Sequence, residues 1–213
     1  MRLIVTRPRH DIPTIYLSIW AEEVIKLAKE KGVDVIDLLQ EKANRKELEG
    51  RIKKLQPELI FLNGHGGEDR ITGHDNEILI KAEDNHEILK GRITYALACK
   101  SGKVLGRIIS ENNGATYIGY CDDFIFMSDN NYTARPLADP KAEPFMKSSN
   151  QVMISLLKGH SAQEASERSK NAFKEQFTRL LSSSADPDSL PTAKYLWWNM
   201  RNQVCLGNGD AKL

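Results

Sequence analysis

Short apolar runs alternate along this chain with longer stretches of helical period. Leu3–Thr6 is a strand-forming run. Ile19–Lys31 carries apolar side chains at Ile19, Trp20, Val24, Ile25, Leu27 and Ala28, the spacing of one helix face, and Gly32 follows as a terminating glycine. Val33–Ile36 predicts a second strand. Asn44–Leu55 predicts a helix that ends before Pro57. Leu59–Leu62, Ile93–Cys99 and Ala115–Tyr120 predict three further strands. Lys103–Glu111 predicts a helix between the last two, closed by Asn112-Asn113-Gly114. The pattern lapses from Asp122 to Lys147, where Asp129-Asn130-Asn131 and Arg135-Pro136 predict irregular loops. It returns as two helices around Gly159, Phe145–Leu157 and Ala162–Leu181. Ser182–Pro191 reads as a turn-rich connection, and Tyr195-Leu196-Trp197-Trp198 as a last apolar segment packing onto the body.

Strands that are apolar throughout, separated by helices, predict an α/β fold with a mostly parallel sheet covered on both faces. The 213 residues hold no internal repeat and suit a single domain spanning 1–213. The 30 basic and 29 acidic residues leave a formal charge of +1, which argues against a nucleic-acid partner held by a strong global field. The basic stretch Lys42–Lys54 is interleaved with Glu47 and Glu49 and reads as a solvated helix face. No apolar run approaches the roughly 20 residues that span a bilayer. The first residues lack the length and cleavage site of a signal peptide. The expectation is a cytoplasmic protein without nucleic-acid or membrane partners. Cys99, Cys121 and Cys205 are odd in number and widely spaced, which fits neither a disulfide framework nor zinc-ligand spacing. No metal and no cofactor is expected.

The chemistry gathers at two strand ends. The third strand runs into Asn63-Gly64-His65-Gly66-Gly67, and the fourth ends at Cys99, followed by Lys100-Ser101-Gly102. Sites in open α/β sheets form beyond the carboxyl ends of the strands. If these two strands are neighbours, imidazole and thiol meet at one rim. A Cys/His pair is the minimum apparatus of thiolate catalysis, with His65 keeping the Cys99 thiol ionised. Backbone N–H groups of Gly66 and Cys99 would then form an oxyanion hole. Taken singly, a cysteine ending a buried strand is a packing residue, and a histidine among glycines a turn residue.

"LIFLNGHGG" followed by "ITYALACKSG" resembles the caspase-like cysteine peptidases of clan CD, in which one apolar strand ends in His-Gly and another in Ala-Cys. "KVLGRIISENNGATYIGYCDD" and "SLLKGHSAQEASERSKNAF" resemble segments of the gingipain-like and CHAT branches. The likeness covers roughly Leu3 to Phe177 in element order, and only the two short motifs are specific. It implies a caspase-like α/β/α sandwich, with His65 as general base, Cys99 as nucleophile and Gly66 as an oxyanion-hole donor. The chain departs from true caspases, since Leu97 stands where they have Gln and no acid-rich linker suggests processing. The nearer branches often cleave after basic residues. Asp122 and Asp123, past the fifth strand, are the acids that would select these, or they are solvated loop acids. Glu68, Asp69, His74, Asp75 and Glu77 follow His65 and would line the cleft, orient His65 or face solvent, with His74 also an alternative base or metal ligand. Cys121, flanked by acids and aromatics, reads as packing. Cys205 reads as incidental to a terminal tail, and His10, His86 and His160 as surface residues.

The leading expectation is therefore a cysteine endopeptidase acting on protein or peptide substrates, with a possible regulatory partner. A rival is a non-catalytic caspase-like domain that binds within a larger assembly. A third reading, a nucleotide-binding domain with "GHGG" as a phosphate turn, lacks GxGxxG and GxxxxGK[ST].

Overall fold

A computed structural model gives the fold and describes residues 1–112, 114–182 and 189–213. In chain order the elements are β1 (Arg2–Arg7), α1 (Ile12–Glu30), β2 (Asp34–Leu39), α2 (Arg45–Leu55), β3 (Leu59–Asn63), β4 (Gly66–Gly67), β5 (Arg70–Thr72), β6 (Ile78–Lys81), β7 (Ile93–Leu97), α3 (Leu105–Asn112), β8 (Thr116–Tyr120), α4 (Glu143–Leu157), α5 (Ala162–Ser182), α6 (Ser189–Asn202) and β9 (Gln203–Gly207). The main sheet has the order β2-β1-β3-β7-β8-β9. Its strands are parallel except β9, which runs antiparallel to β8. β4, β5 and β6 form a separate small antiparallel sheet.

Alternating side chains split the core in two, because successive residues of a strand face opposite sides. Leu3, Val5, Leu59, Phe61 and Tyr95 pack under α1 and α4 with Trp20, Val24, Met146 and Val152. Ile4, Ile60, Leu62 and Ala96 pack on the other face with Leu48 and Ile52 of α2 and Leu105 and Ile109 of α3. Every residue of β3, β7 and β8 is buried. Both faces are covered, so these strands are mostly apolar, and the expected α/β/α sandwich results. Among the described residues no helix is long and apolar enough to cross a membrane.

The structure departs from the sequence expectation in three places. α1 begins at Ile12, seven residues earlier than its apolar spacing predicts, because Asp11 and Thr14 form a reciprocal capping box at its start. The segment after His65 is not an open loop but the small sheet, whose Ile71, Leu79 and Ile80 are buried. Cys205 does not lie in a loose tail: it pairs with Ile118 across the β8–β9 ladder. The apolar Tyr195–Trp198 segment does pack onto the body, as part of α6, with Leu196 buried. Most of the predicted Ser182–Pro191 connection, and Asn113, lie outside the described residues.

Candidate active site

The carboxyl ends of β1, β3 and β7 lie side by side, and each delivers one polar group to the same rim. The end of β3 is fastened to β1 by buried hydrogen bonds. Asn63 N–H donates to Thr6 Oγ1 at 2.9 Å, and Asn63 Nδ2 donates to the Thr6 carbonyl at 2.9 Å. The chain then turns through Gly64, where a Cβ would stand 1.9 Å from the Thr72 carbonyl oxygen of β5. Only glycine lets the two backbones approach so closely. Thr72 N–H donates to the His65 carbonyl at 2.9 Å. The Gly66–Ile71 pair next to it is therefore the non-hydrogen-bonded one of the ladder, and Gly66 N–H turns away from β5. A Cβ at Gly66 would meet the Cys99 carbonyl oxygen at 2.3 Å and the Cys99 nitrogen at 3.0 Å. These contacts answer why a histidine stands among glycines: the backbone around it is wedged between β5 and the Cys99 turn.

His65 is held from a direction the sequence did not suggest. Its Nε2 lies 2.6 Å from Asp11 Oδ2. Asp11 is the N-cap of α1, and its Oδ1 accepts from Thr14 N–H at 2.9 Å and Thr14 Oγ1 at 2.7 Å. One carboxylate thus caps a helix with one oxygen and fixes an imidazole with the other. Burial alone would raise the Asp11 pKa, but the Thr14 bonds and the imidazole outweigh it and hold the carboxyl at about 2. With Nε2 given to Asp11, Nδ1 is the ring nitrogen left for other work.

Cys99 follows β7 by two residues, and its Sγ lies 3.8 Å from the Phe124 carbonyl. The next residue, Lys100, has φ 59°, a left-handed conformation that costs a non-glycine residue about 1–2 kcal/mol. That turn is braced, since Lys100 N–H donates to the Asp122 carbonyl at 3.1 Å and Gly102 N–H to the Tyr120 carbonyl at 2.8 Å. The extended segment 123–126 opposite is braced from α6. Asn199 accepts from Ile125 N–H and donates to the Ile125 carbonyl, while Trp198 Nε1 donates to the Asp123 carbonyl. His65 and Cys99 line one small cavity of about 40 Å³, walled by Pro13, Leu17, Leu97 and Phe126. Burial raises the Cys99 pKa; a backbone hydrogen bond at Phe124 opposes this and Asp123 adds to it. Burial in this apolar pocket thus works against the resting thiolate that the Cys/His pairing leads one to expect. A larger polar cavity of about 330 Å³, lined by Gln151, Arg168, Asn171 and Glu175, holds no nucleophile.

The other candidates fall into place around this centre. Asp123 is engaged by Lys100 at 3.2 Å, and Asp122 Oδ1 accepts from Asp123 N–H at 2.8 Å. The acids that follow His65 do not orient it. Glu68 pairs with Lys103 at 2.6 Å, Asp69 with Arg70 at 2.9 Å, and Glu77 accepts from Arg45 N–H. His10, expected at the surface, is instead packed between two imidazoles, with ring centroids 5.7 Å from His65 and 5.5 Å from His74. His86 and His160 sit elsewhere, beside Glu83 and Glu164. Burial raises the pKa of Cys121, and that of Cys205 to about 11, as expected of packing thiols. Asp11 was the missed residue. The signal that finds it is Asp11-Ile12-Pro13-Thr14, an N-cap, a proline in the first turn and a capping-box partner.

Neither a known family nor a curated protein matches the sequence. Solved structures match its fold. The chain superposes over its whole length on the Arg-specific cysteine proteinase gingipain R (RgpB), with a TM-score of 0.63 at 10% identity, covering 47% of that chain. It also matches a complex of the Porphyromonas gingivalis RgpB pro- and mature domains, with a TM-score of 0.59 at 11% identity, over 99% of this chain and 47% of that one. The fold is caspase-like. The chain spans about half the length of these gingipain structures.

Proposed function

We propose that this caspase-like chain is a cysteine peptidase in which Cys99 is the nucleophile and His65 the acid–base group. The observation that carries the reading is that both side chains line one cavity at the ends of the adjacent strands β3 and β7, with Gly66 pressed against the Cys99 backbone. Asp11 fixes the ring through Nε2, so Nδ1 takes the thiol proton as Sγ attacks the scissile carbonyl. Burial disfavours a free thiolate at Cys99, so proton transfer accompanies attack instead of preceding it. Gly66 and Cys99 N–H groups receive the developing oxyanion. The imidazolium then protonates the leaving amine. Water, deprotonated by His65, cleaves the thioester and restores the thiol. The gingipain-like fold supports this reading more than the CHAT likeness does. A basic substrate residue is accommodated at Asp122 and Asp123 by displacing Lys100 from Asp123.

The test is labelling of the purified protein with a peptidyl acyloxymethyl ketone carrying Arg next to the warhead, with mass mapping of the modified residue. Attachment to Cys99, lost in His65→Ala, supports the pair. Attachment from an apolar probe but not the Arg probe removes the basic specificity and keeps the peptidase. A second reading, a caspase-like binding domain without turnover, is favoured by the small cavity beside a thiol whose ionisation burial disfavours. It predicts no labelling of Cys99 by either probe.

A further inference from the structure

We propose that His10, Asp11 and His65 form a binding site for a divalent transition-metal ion. His10 lies three residues past β1, at the same rim as His65, and its side chain is only 10% exposed. Neither of its ring nitrogens has a hydrogen-bond partner, although both are shut off from solvent. A buried imidazole ordinarily has at least one nitrogen satisfied. Its Nε2 stands 3.8 Å from Asp11 Oδ2, which is itself 2.6 Å from His65 Nε2. One donor atom from each of the three residues falls within 4.8 Å of the others.

The donor set selects the ion. Two imidazoles and one carboxylate suit zinc and its first-row neighbours, with Zn–N near 2.0–2.1 Å, whereas calcium takes six to eight oxygens. Three protein ligands leave a position open to water. The outer contacts are in place, since Thr14 holds Asp11 Oδ1 and leaves Oδ2 for the ion. His74 closes the far side of His10 but stays outside the ligand set, because its Nδ1 accepts from Arg9 N–H at 3.2 Å. The ion would take the place of the proton shared by His65 and Asp11.

A consequence rests on the peptidase reading above. With Nε2 bound to metal, the one N–H of the neutral His65 ring moves to Nδ1. Nδ1 then carries a proton and no longer accepts one from Cys99. The ion is thus a reversible block on the acid–base group.

Cobalt titration of the chelator-treated full chain near neutral pH tests the site without reference to cleavage. One equivalent of Co²⁺ should bind with the visible absorption of low-coordinate cobalt. Zn²⁺ should displace it, and excess Ca²⁺ should not. His10→Gln should weaken binding at least tenfold, as should His10→Ala, while Cys99→Ala leaves the absorption in place. Absence of cobalt binding to the wild-type chain, or binding that both His10 variants leave unchanged, overturns the site. A chain that binds cobalt at His10 yet never labels at Cys99 keeps the site and discards only the peptidase reading.

Discussion

Gly66 offers a perturbation whose size can be worked from the backbone. An alanine there would place its Cβ 2.3 Å from the Cys99 carbonyl oxygen and 3.0 Å from Ala98 Cβ, where ordinary contact begins at 3.4 Å. The obstacles are backbone and a strand-end methyl, so no side chain can swing aside. β4 and the Cys99 turn must part by about 1 Å. Overpacking of this kind costs about 1–3 kcal/mol of stability. A 1 Å misplacement of reacting groups costs about 10²-fold in rate. Gly67 is the control, since its Cβ would meet nothing nearer than 3.5 Å. The assay is the second-order rate of Cys99 modification by a peptidyl acyloxymethyl ketone, with urea unfolding run in parallel. Gly66→Ala should lower that rate about 10²-fold while the chain stays folded, and Gly67→Ala should change it less than threefold. Equal rates for the two variants would refute the claim that this contact sets the site.

Other expectations follow from single residues. Asp11→Asn should remove pH-dependent stability: a carboxyl held at about 2 stabilises the folded chain above pH 4, and this is lost as pH falls from about 4 to 2. The full depression corresponds to about 2 kcal/mol, and with the side chain 37% exposed screening brings the expectation to about 1 kcal/mol. Urea midpoints of wild type and variant should therefore converge toward pH 2; a gap that stays constant contradicts the linkage. Alkylation of Cys99 by iodoacetamide should rise with pH through a midpoint above the ordinary thiol value of about 8.5, because burial disfavours the thiolate; a plateau already reached at pH 7 would show a resting ion pair. Asn199→Ala strips two hydrogen bonds from the Ile125 backbone and should lower stability by about 1–3 kcal/mol in urea titration, while Asn199→Asp, which still accepts from Ile125 N–H, should lose less.

The parallel part of the sheet was legible because burial on both faces writes an unbroken apolar run, as in Leu59–Leu62 and Ile93–Leu97. That β3 and β7 are neighbours was only a condition of the sequence reading, resting on the tendency of successive strands to lie side by side; the small sheet inserted between them does not disturb it, and with it comes the shared rim of His65 and Cys99. The small sheet was not legible. Gly66-Gly67 has no side chains to pattern, and Arg70-Ile71-Thr72 is too short to show a period. β9 was hidden because Gln203–Gly207 follows a helix without a break, and its partner β8 lies over 80 residues earlier. The start of α1 was obscured by Thr14 and Ser18, polar residues that are fully buried there. His10 looked solvated because nothing near it in sequence covers it. His74, brought in by the turn after β5, does so only in three dimensions.

β9 also governs how this molecule can fail while it is being made. Until Gln203–Gly207 arrives, β8 offers an unpaired edge of sequence Thr116-Tyr117-Ile118-Gly119-Tyr120, without charge or proline. Such an edge is a template for another chain. On the ribosome, at about 5–20 residues per second, it stays open for several seconds after β8 itself emerges. Crowded nascent chains would meet one another at that edge, so slower closure by β9 should lower the yield of soluble protein.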